Sequence, residues 1–157
     1  MFPWVWGPSR YPNEALAIMH PAELSLREEK RALRRAMAER RDALSPAHRT
    51  EMATRAAEQF LDLPEVRAAS RVAGFVSTRS EIDTAPLLDR LRQRGTEVVL
   101  PRVSTGLIPP RLRFHRADHR ADLVFGIFGL LEPRADAPEV SVHVIDLFMV
   151  PGLAFDR

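Results

Sequence analysis

Apolar residues recur at helical spacing near the start of the chain and predict a helix from Ser25. Steps of seven, four and seven residues place the recurring positions on one face of a helix. A serine followed by a proline then ends this helix and begins another, because serine caps a helix start and proline suits its first position. The residues that define the pattern are Leu26, Leu33, Met37 and Leu44, followed by Ser45 and Pro46.

The second amphipathic helix is predicted to run from Pro46 to Leu63, where Pro64 ends it. This helix and the first are expected to form a pair that packs on a sheet. The inward-facing residues of the second helix are expected to be Met52, Ala53, Ala56 and Phe60.

Two short apolar runs on either side of a third helix predict a strand–helix–strand unit. Residues 72–76 are too few for a helix and do not alternate, which favours a strand buried on both faces, as in a parallel sheet. Thr84 can cap the following helix, and Gly95 lies just past its end. A second strand over residues 97–100 is closed by Pro101, and the crossover between the two strands is expected to be right-handed.

The second half of the chain predicts fewer regular elements. Residues 111–115 alternate between polar and apolar side chains, as in a half-exposed strand near a sheet edge. Residues 117–139 are mostly loop, and residues 144–150 form a last strand. The predicted fold class is α/β: three layers, α/β/α, around a mostly parallel sheet. That the C-terminal part of this sheet is missing is implied only by the family resemblance given below.

The α/β domain is assigned to residues 25–157. Residues 1–24 lack an apolar period and are expected to be a disordered extension. An alternative is an aromatic docking arm, because this segment carries Trp4, Trp6 and Tyr11.

The composition is ordinary for a soluble globular protein, with 45% hydrophobic and 28% charged residues in 157. A membrane-spanning helix is excluded, because the chain has no apolar run of roughly 18 residues. The absence of cysteine excludes disulfides, thiolate catalysis and cysteine-ligated zinc. It also fits a reducing, cytoplasmic location.

Lys30 is the only lysine among 23 basic residues. On a helical wheel with Leu26 at zero, Lys30 falls at about 40°, Arg41 at about 60° and Arg34 at about 80°. These three side chains, called the cation row below, are therefore expected along one edge of the buried stripe. Either their long stems cover apolar surface while their charges reach water, or the row binds an anion such as a phosphate.

A polar loop over residues 77–83 leaves the carboxyl end of the first strand, which is where open α/β sheets bind ligands. Glu81 lies just before the third helix, whose N-terminus favours acidic side chains. A carboxylate there would repel phosphate but could accept hydrogen bonds from the N–H groups of a heterocycle or an amine. The alternative is that Glu81 and Asp83 only complement the helix dipole.

Other chemistry is weakly indicated. His115 and His119 are four residues apart but lie on no predicted helix, so solvated histidines are favoured over metal ligands. The sequence has no nucleophile elbow, no Walker A loop and no dinucleotide-binding glycine motif. Residues 111–116 are arginine-rich and could contact RNA, but a net charge of +2 favours a solvated face.

Several short segments occur in a characteristic order. They are residues 30–34, 80–84, 99–102, 129–133 and 145–156. As an ordered set they resemble the 5-formyltetrahydrofolate cyclo-ligase family, also called methenyltetrahydrofolate synthetases. The resemblance implies conversion of 5-formyltetrahydrofolate and ATP, with magnesium, into 5,10-methenyltetrahydrofolate, ADP and phosphate. The formyl oxygen would be activated by phosphoryl transfer and its carbon then attacked by N10.

The resemblance also implies roles for single residues. Lys30 and Arg34 match ATP-contacting positions, Glu81 matches a folate-contacting glutamate, and Val76 matches a further substrate contact. Asp156 lies at the edge of the implied active site, with no role assigned. The resemblance further implies a cytoplasmic enzyme that is a monomer when complete, with no nucleic-acid or membrane partner.

In the family, a glycine-rich, basic segment with tyrosines follows the position of Asp156 and cradles the ATP phosphates. The sequence ends at Arg157, so the chain is expected to be an incomplete and inactive ligase domain. Two alternatives belong to other classes. A non-catalytic relic would bind folate or nucleotide without ATP turnover, and an RNA-binding domain would show an affinity that falls steeply with salt.

We predict that the 157-residue chain forms no methenyltetrahydrofolate, whereas a chain extended after Asp156 by the glycine-rich tail of a related enzyme does. The reason is that preorganised donors around the transferred charge are usually the largest catalytic contribution. Product formation by both chains is followed by the near-ultraviolet absorbance of methenyltetrahydrofolate. The extended chain should also be more soluble. ATP-dependent product formation by the unextended chain would contradict this prediction.

Overall fold

The structure, a computed structural model, describes residues 21–104, 109–126 and 129–154. The expected disordered extension lies outside these residues up to position 20. The first helix, α1, spans Pro21–Asp42 and so begins four residues before the predicted start. Proline suits the first turn of a helix, where a backbone N–H has no partner in any case.

Helix α2 spans Pro46–Asp62 and begins as predicted, because the Ser45 hydroxyl accepts a hydrogen bond from the His48 backbone N–H at 3.2 Å. Its buried residues are Ala53, Ala57 and Leu61. The other three residues expected to face inward, Met52, Ala56 and Phe60, are half-buried. Pro64 ends α2 but also begins a short helix that was not predicted, α3, over Pro64–Ala68.

The remaining helix and the strands follow in chain order. They are β1 (Arg71–Ala73), α4 (Ala85–Gln93), β2 (Glu97–Ser104), β3 (Arg111–Arg116), β4 (Leu123–Phe125), β5 (Leu131–Pro133), β6 (Glu139–Val140) and β7 (Leu147–Phe148). The described residues form a sheet of five strands in the order β6-β3-β2-β1-β7, and β4 and β5 form a separate antiparallel hairpin.

Strand β1 is the central parallel strand of this sheet. It pairs in parallel with β2 on one side and with β7 on the other, while β2–β3 and β3–β6 are antiparallel. The α/β class and the strand–helix–strand unit are therefore confirmed, although the sheet is mixed. Strand β2 continues through Pro101 to Ser104, because Pro101 pairs with Phe114 and its fixed φ is compatible with an extended chain.

The main apolar core lies between one face of the sheet and three helices. Its buried members come from α2, α3, α4, β1 and β2: Ala57, Leu61, Val66, Val72, Leu87, Leu88, Leu91, Val98 and Leu100. A smaller core on the opposite face contains Ala73, Val99 and Ile145. Within the described part of the chain, helices α2 to α4 share one face of the sheet.

The expected burial of the α1 stripe was wrong. Leu26 is 50% exposed, Leu33 55% and Leu44 41%. Periodicity identifies residues that share a helix face, but burial needs an apolar partner, and neither apolar core of the described residues includes these leucines. Met37 and Ala38, in the second half of the helix, are half-buried.

The C-terminal region also differs from its prediction. In place of one strand over residues 144–150, a 3-10 turn at Val142–Val144 precedes a two-residue β7. Ser141 begins this turn by accepting a hydrogen bond from the His143 backbone N–H, which diverts the chain from an extended path. The region expected to be loop contains the β4–β5 hairpin.

The helices that the structure describes include none long and apolar enough to span a membrane.

Gly74 continues the path of β1 and packs directly against α4. Its N–H donates to the Val99 carbonyl oxygen at 2.9 Å, and a Cβ at this position would lie 2.6 Å from Leu88 Cδ2. Gly74→Ala should therefore lower the free energy of unfolding by about 1–3 kcal/mol, the usual cost of overpacking a core.

Chemical denaturation of four proteins checks this prediction: the parent, Gly74→Ala, Leu88→Ala and the double variant. Leu88→Ala alone should cost about 2–5 kcal/mol, but it removes the atom that clashes. The added cost of Gly74→Ala should then be smaller, and an equal cost in both backgrounds would contradict the packing argument.

Candidate functional site

The candidate site is built around the loop of residues 77–83, which follows β1 at the carboxyl end of the parallel strands. Its two ends are tied together, because the Ser77 hydroxyl accepts a hydrogen bond from the Thr84 backbone N–H at 2.9 Å. Thr84 is buried, and its hydroxyl donates to the Phe75 carbonyl oxygen at 2.7 Å. Thr84 thus precedes α4 as predicted, but its side chain makes no capping bond to the helix and holds the loop base instead.

Glu81 is half-buried in this loop and oriented by the loop backbone. Its Oε2 accepts a hydrogen bond from the Thr78 N–H at 2.9 Å, and its own N–H donates to the Thr78 carbonyl oxygen at 3.0 Å. Among the described residues, no hydrogen bond is made to Oε1. One carboxylate oxygen is therefore anchored, while the other can accept a hydrogen bond from a ligand N–H.

The hydrogen bond made by Asp83 helps to decide whether the acidic side chains of the loop bind a ligand or only complement the dipole of α4. Its Oδ1 accepts a hydrogen bond from the Ala85 N–H at 3.0 Å, within the first turn of α4. Asp83 therefore satisfies a free donor at the helix start, as an acidic residue there is expected to do. Glu81 bonds within the loop and not to the helix, which favours a ligand-binding role for its carboxylate.

The loop is held against the last turn of α1 by Ser80. Arg41 Nε donates to Ser80 Oγ at 3.0 Å, and Ser80 Oγ donates to the Asp42 carboxylate. Arg41 is half-buried and lies 3.7 Å from Asp42 Oδ1. The cation row therefore reaches the Glu81 loop at its Arg41 end.

The other two members of the cation row are not brought to this loop. Lys30 and Arg34 are exposed, so their predicted position beside a buried stripe was wrong, for the same reason as the stripe itself. They lie eleven and seven residues before Arg41, which corresponds to about 16 Å and about 10 Å along the helix axis. They face solvent on the helix that touches the loop.

Val76 is half-buried and packs against the main apolar core. It holds the end of β1 onto the helices, five residues before Glu81. Asp156 lies outside the described residues.

Sequence reasoning missed the contact between Arg41 and Ser80. Arg41 was placed in the cation row by its angle from Leu26 on the helical wheel, and Ser80 was placed in the loop. The signal that could have joined them was weak, because their separation of 39 residues carries no local periodicity.

A buried ion pair that was not predicted links the β4–β5 hairpin to β2. Glu132 is 4% exposed, and its Oε2 lies 3.6 Å from Arg102, whose guanidinium also donates to the Pro133 carbonyl oxygen. The carboxylate lies directly against the Gly126 backbone, where an added Cβ would overlap it. This pair fixes the hairpin to the sheet, because a buried charge left unpaired would be costly.

The histidines give no metal site. His115 is buried, with Nδ1 2.8 Å from the Ala137 carbonyl oxygen, whereas His119 is exposed. Over the described ranges, no three His, Cys, Asp or Glu side chains come together as metal ligands would. Magnesium, which the resemblance implies, therefore has no cluster of three such ligands among these residues.

Comparison with known proteins adds independent findings. Residues 26–157 match the model of the 5-formyltetrahydrofolate cyclo-ligase family. The 5-formyltetrahydrofolate cyclo-ligase of Escherichia coli K12 is 34% identical over 120 residues, which are 76% of this chain and 65% of that protein. The chain thus spans less than two thirds of the length of this relative.

Solved structures agree. The NMR structure of Aquifex aeolicus 5,10-methenyltetrahydrofolate synthetase matches with a TM-score of 0.70 and 28% identity, over 81% of this chain and 62% of that one. A 5,10-methenyltetrahydrofolate synthetase from Mycoplasma pneumoniae matches with a TM-score of 0.55 and 16% identity, over 76% and 61% of the two chains. At that identity the second likeness supports the fold alone.

Proposed function

The chain belongs to the 5-formyltetrahydrofolate cyclo-ligase family, and on that premise we propose that it provides the folate-binding loop and part of the ATP-binding surface of such a ligase. The reaction is the ATP-dependent cyclisation of 5-formyltetrahydrofolate to 5,10-methenyltetrahydrofolate, with release of ADP and phosphate. We place this activity in the cytoplasm, in a protein that works as a monomer.

The observation that carries the proposal is the half-buried Glu81 carboxylate at the carboxyl end of β1. Its Oε2 is anchored by the Thr78 N–H, so the carboxylate can meet a ligand without first paying the full entropic cost of ordering a flexible side chain. A reduced pterin ring presents several N–H donors, which match an acceptor-only group. Val76, three residues past the end of β1 and five residues before Glu81, is half-buried and is proposed as a further substrate contact.

The cation row supports an ATP-binding role for helix α1. Lys30, Arg34 and Arg41 share one side of α1, and the first two are exposed and available to a polyanion. Hydrogen bonds from cationic side chains to phosphate oxygens are short and strong. Lys30 and Arg34 would hold the phosphates, while Arg41 is committed to Ser80 at the loop end of the row.

The chemistry then proceeds in two steps. The formyl oxygen attacks the γ-phosphorus of ATP, so that an O–P bond forms and ADP leaves. N10 of the folate next attacks the formyl carbon and releases its proton to solvent, the ring closes, and phosphate leaves with the former formyl oxygen. In this scheme Glu81 orients the pterin, and the cations of α1 balance the phosphate charge. Neither step uses a metal ion bound by the described residues.

The proposal is tested by the near-ultraviolet absorbance of methenyltetrahydrofolate, after 5-formyltetrahydrofolate and ATP are mixed with the chain extended beyond Asp156 by the C-terminal segment of the Escherichia coli relative. This extended chain is called the chimera below. ATP-dependent product formation supports the proposal, with omission of ATP as the control. If the chimera is folded but makes no product, the proposed function is wrong.

Lys30→Ala in the chimera should weaken ATP use much more than folate binding. The loss of one charge-assisted hydrogen bond is worth about 1.5–3 kcal/mol, which would raise the KM for ATP by about 10- to 150-fold. The matched control is Arg31→Ala, which removes one charge from an exposed position about 100° further around the same helix. An unchanged KM for ATP in Lys30→Ala, or an equal rise in both variants, would contradict the phosphate-binding role.

Glu81→Gln keeps the size of the side chain but removes its charge, and it should weaken binding of 5-formyltetrahydrofolate while nucleotide binding stays nearly intact. Hydrogen bonds to a charged acceptor contribute about 1.5–3 kcal/mol, so the dissociation constant should rise at least tenfold. Calorimetric titration measures the affinity for both 5-formyltetrahydrofolate and nucleotide. The control is Asp83→Asn, because Asp83 bonds to the start of α4 and should affect stability more than folate affinity. Normal folate binding by Glu81→Gln would refute the assignment.

A further inference from the structure

The hydroxyl group of Ser80 joins two parts of the chain that the proposed function assigns to different ligands. It accepts a hydrogen bond from Arg41 Nε at 3.0 Å and donates one to the Asp42 carboxylate, and both partners lie in the last turn of α1. Ser80 itself is half-buried and immediately precedes Glu81. The Ser80 side chain is therefore hydrogen-bonded to both charged side chains at the end of α1, and it lies next to the carboxylate that we propose binds folate.

The bonds at the base of the loop and those between Thr78 and Glu81 hold the loop to itself, whereas the bonds of Ser80 attach its tip to α1. Ser77 and Thr84 close the two ends of the loop. Between them, Arg79 has a φ of 55°, in the left-handed region that a side chain other than glycine occupies at an energetic cost. Ser80 lies between this strained residue and Glu81, so its bonds to α1 counteract relaxation of the tip.

The described side chains of helix α1 are mostly exposed. Leu26, in its first half, and Leu33, just past its midpoint, are both exposed. Its half-buried residues are Met37, Ala38 and Arg41, all in the second half. The buried part of the helix that the structure describes therefore lies near its C-terminal end, where Ser80 binds.

Because of this geometry, α1 would rotate about the contact between Ser80 and Arg41. Lys30 lies about 16 Å from Arg41 along the helix axis, so a rotation of about 10° at Arg41 would move Lys30 by about 3 Å. We infer that Ser80, through Arg41 and Asp42, is a positioning residue that fixes the cation row relative to Glu81. The inference rests on the proposed function, in which the two ligands must meet closely enough for phosphoryl transfer.

The first test measures the geometry without any activity. The sequence has no cysteine, so Arg27→Cys on α1 and Arg90→Cys on α4, both at exposed positions, can carry a pair of spin labels. Electron–electron double resonance then reports the distribution of distances between α1 and the body of the domain. Ser80→Ala should widen this distribution at least twofold, and Ser80→Thr, which keeps a hydroxyl group, should restore it.

Arginine variants provide the matched control. Arg41→Gln should widen the distance distribution as Ser80→Ala does, and the double variant should be no wider than either single one. Arg40→Gln removes the same charge from the adjacent, exposed position and should leave the distribution unchanged. An unchanged width in Ser80→Ala, or equal widening in Arg40→Gln, would overturn the inference.

The second test uses the chimera and its kinetics. A displacement of 1 Å can cost about 100-fold in rate, so Ser80→Ala should lower kcat at least tenfold while each KM changes by less than about threefold. Ser80→Thr should recover most of kcat. An unchanged kcat, or a loss confined to KM, would show that Ser80 does not position the two ligands. If the parent chimera makes no product, the proposed function fails, while the distance measurement still decides whether Ser80 fixes α1.

Discussion

The arrangement of the whole sheet depends on the alignment of three parallel strands at their amino ends. The Asp146 carboxylate, just before β7, accepts hydrogen bonds from the backbone N–H groups of Ser70 and Arg71, both at 2.8 Å. Arg71 in turn donates to Glu97, at the start of β2, at 2.7 Å, and to the Val144 carbonyl oxygen. The hydrogen bond to Glu97 raises the pKa of the Arg71 guanidinium above its ordinary value, which favours the cation of this network.

This network makes the two ends of β1 chemically different. At the amino end, Arg71 pairs with Glu97 and Asp146 accepts from the backbone, while Arg71 Nε is buried without a hydrogen-bond partner among the described residues. These bonds help to determine which residues of β1, β2 and β7 lie side by side. At the carboxyl end, Glu81 is bound by one backbone N–H and keeps an oxygen for another donor. Ligands bind at the carboxyl ends of parallel strands, and here the opposite end is occupied by structural charge pairs.

Local features of the sequence predicted the elements that local physics controls. Ser45 begins α2 as expected, and Gly95 ends α4 with a φ of 82° that suits glycine. The buried strand before the loop was also predicted, because an unbroken apolar run needs burial on both faces. These features identified the loop that carries Glu81 and the helix that carries Lys30.

What the sequence could not predict depends on contacts between distant residues. The apolar period of α1 is real, yet Leu26 and Leu33 are exposed, because a pattern cannot show whether a partner surface exists. Pro101 does not end β2, because its pairing with Phe114 keeps the strand extended. The bond between Arg41 and Ser80 joins residues 39 positions apart, and no local rule connects them.

The one lysine in the cation row can be understood from the different geometry at its two ends. Arg41 donates from Nε to a single hydroxyl group while its charge lies 3.7 Å from Asp42, and this directional role suits a planar guanidinium with fixed N–H directions. Lys30, about 16 Å along the helix, is exposed, and no hydrogen bond or ion pair orients it among the residues that the structure describes. In the proposed reaction, a compact ammonium on a flexible stem would follow a phosphate group from ATP to the folate, since its three donors rotate freely. On that proposal, arginine suits the end of the helix that is bonded to the loop, and lysine suits the exposed end that would hold a transferred charge.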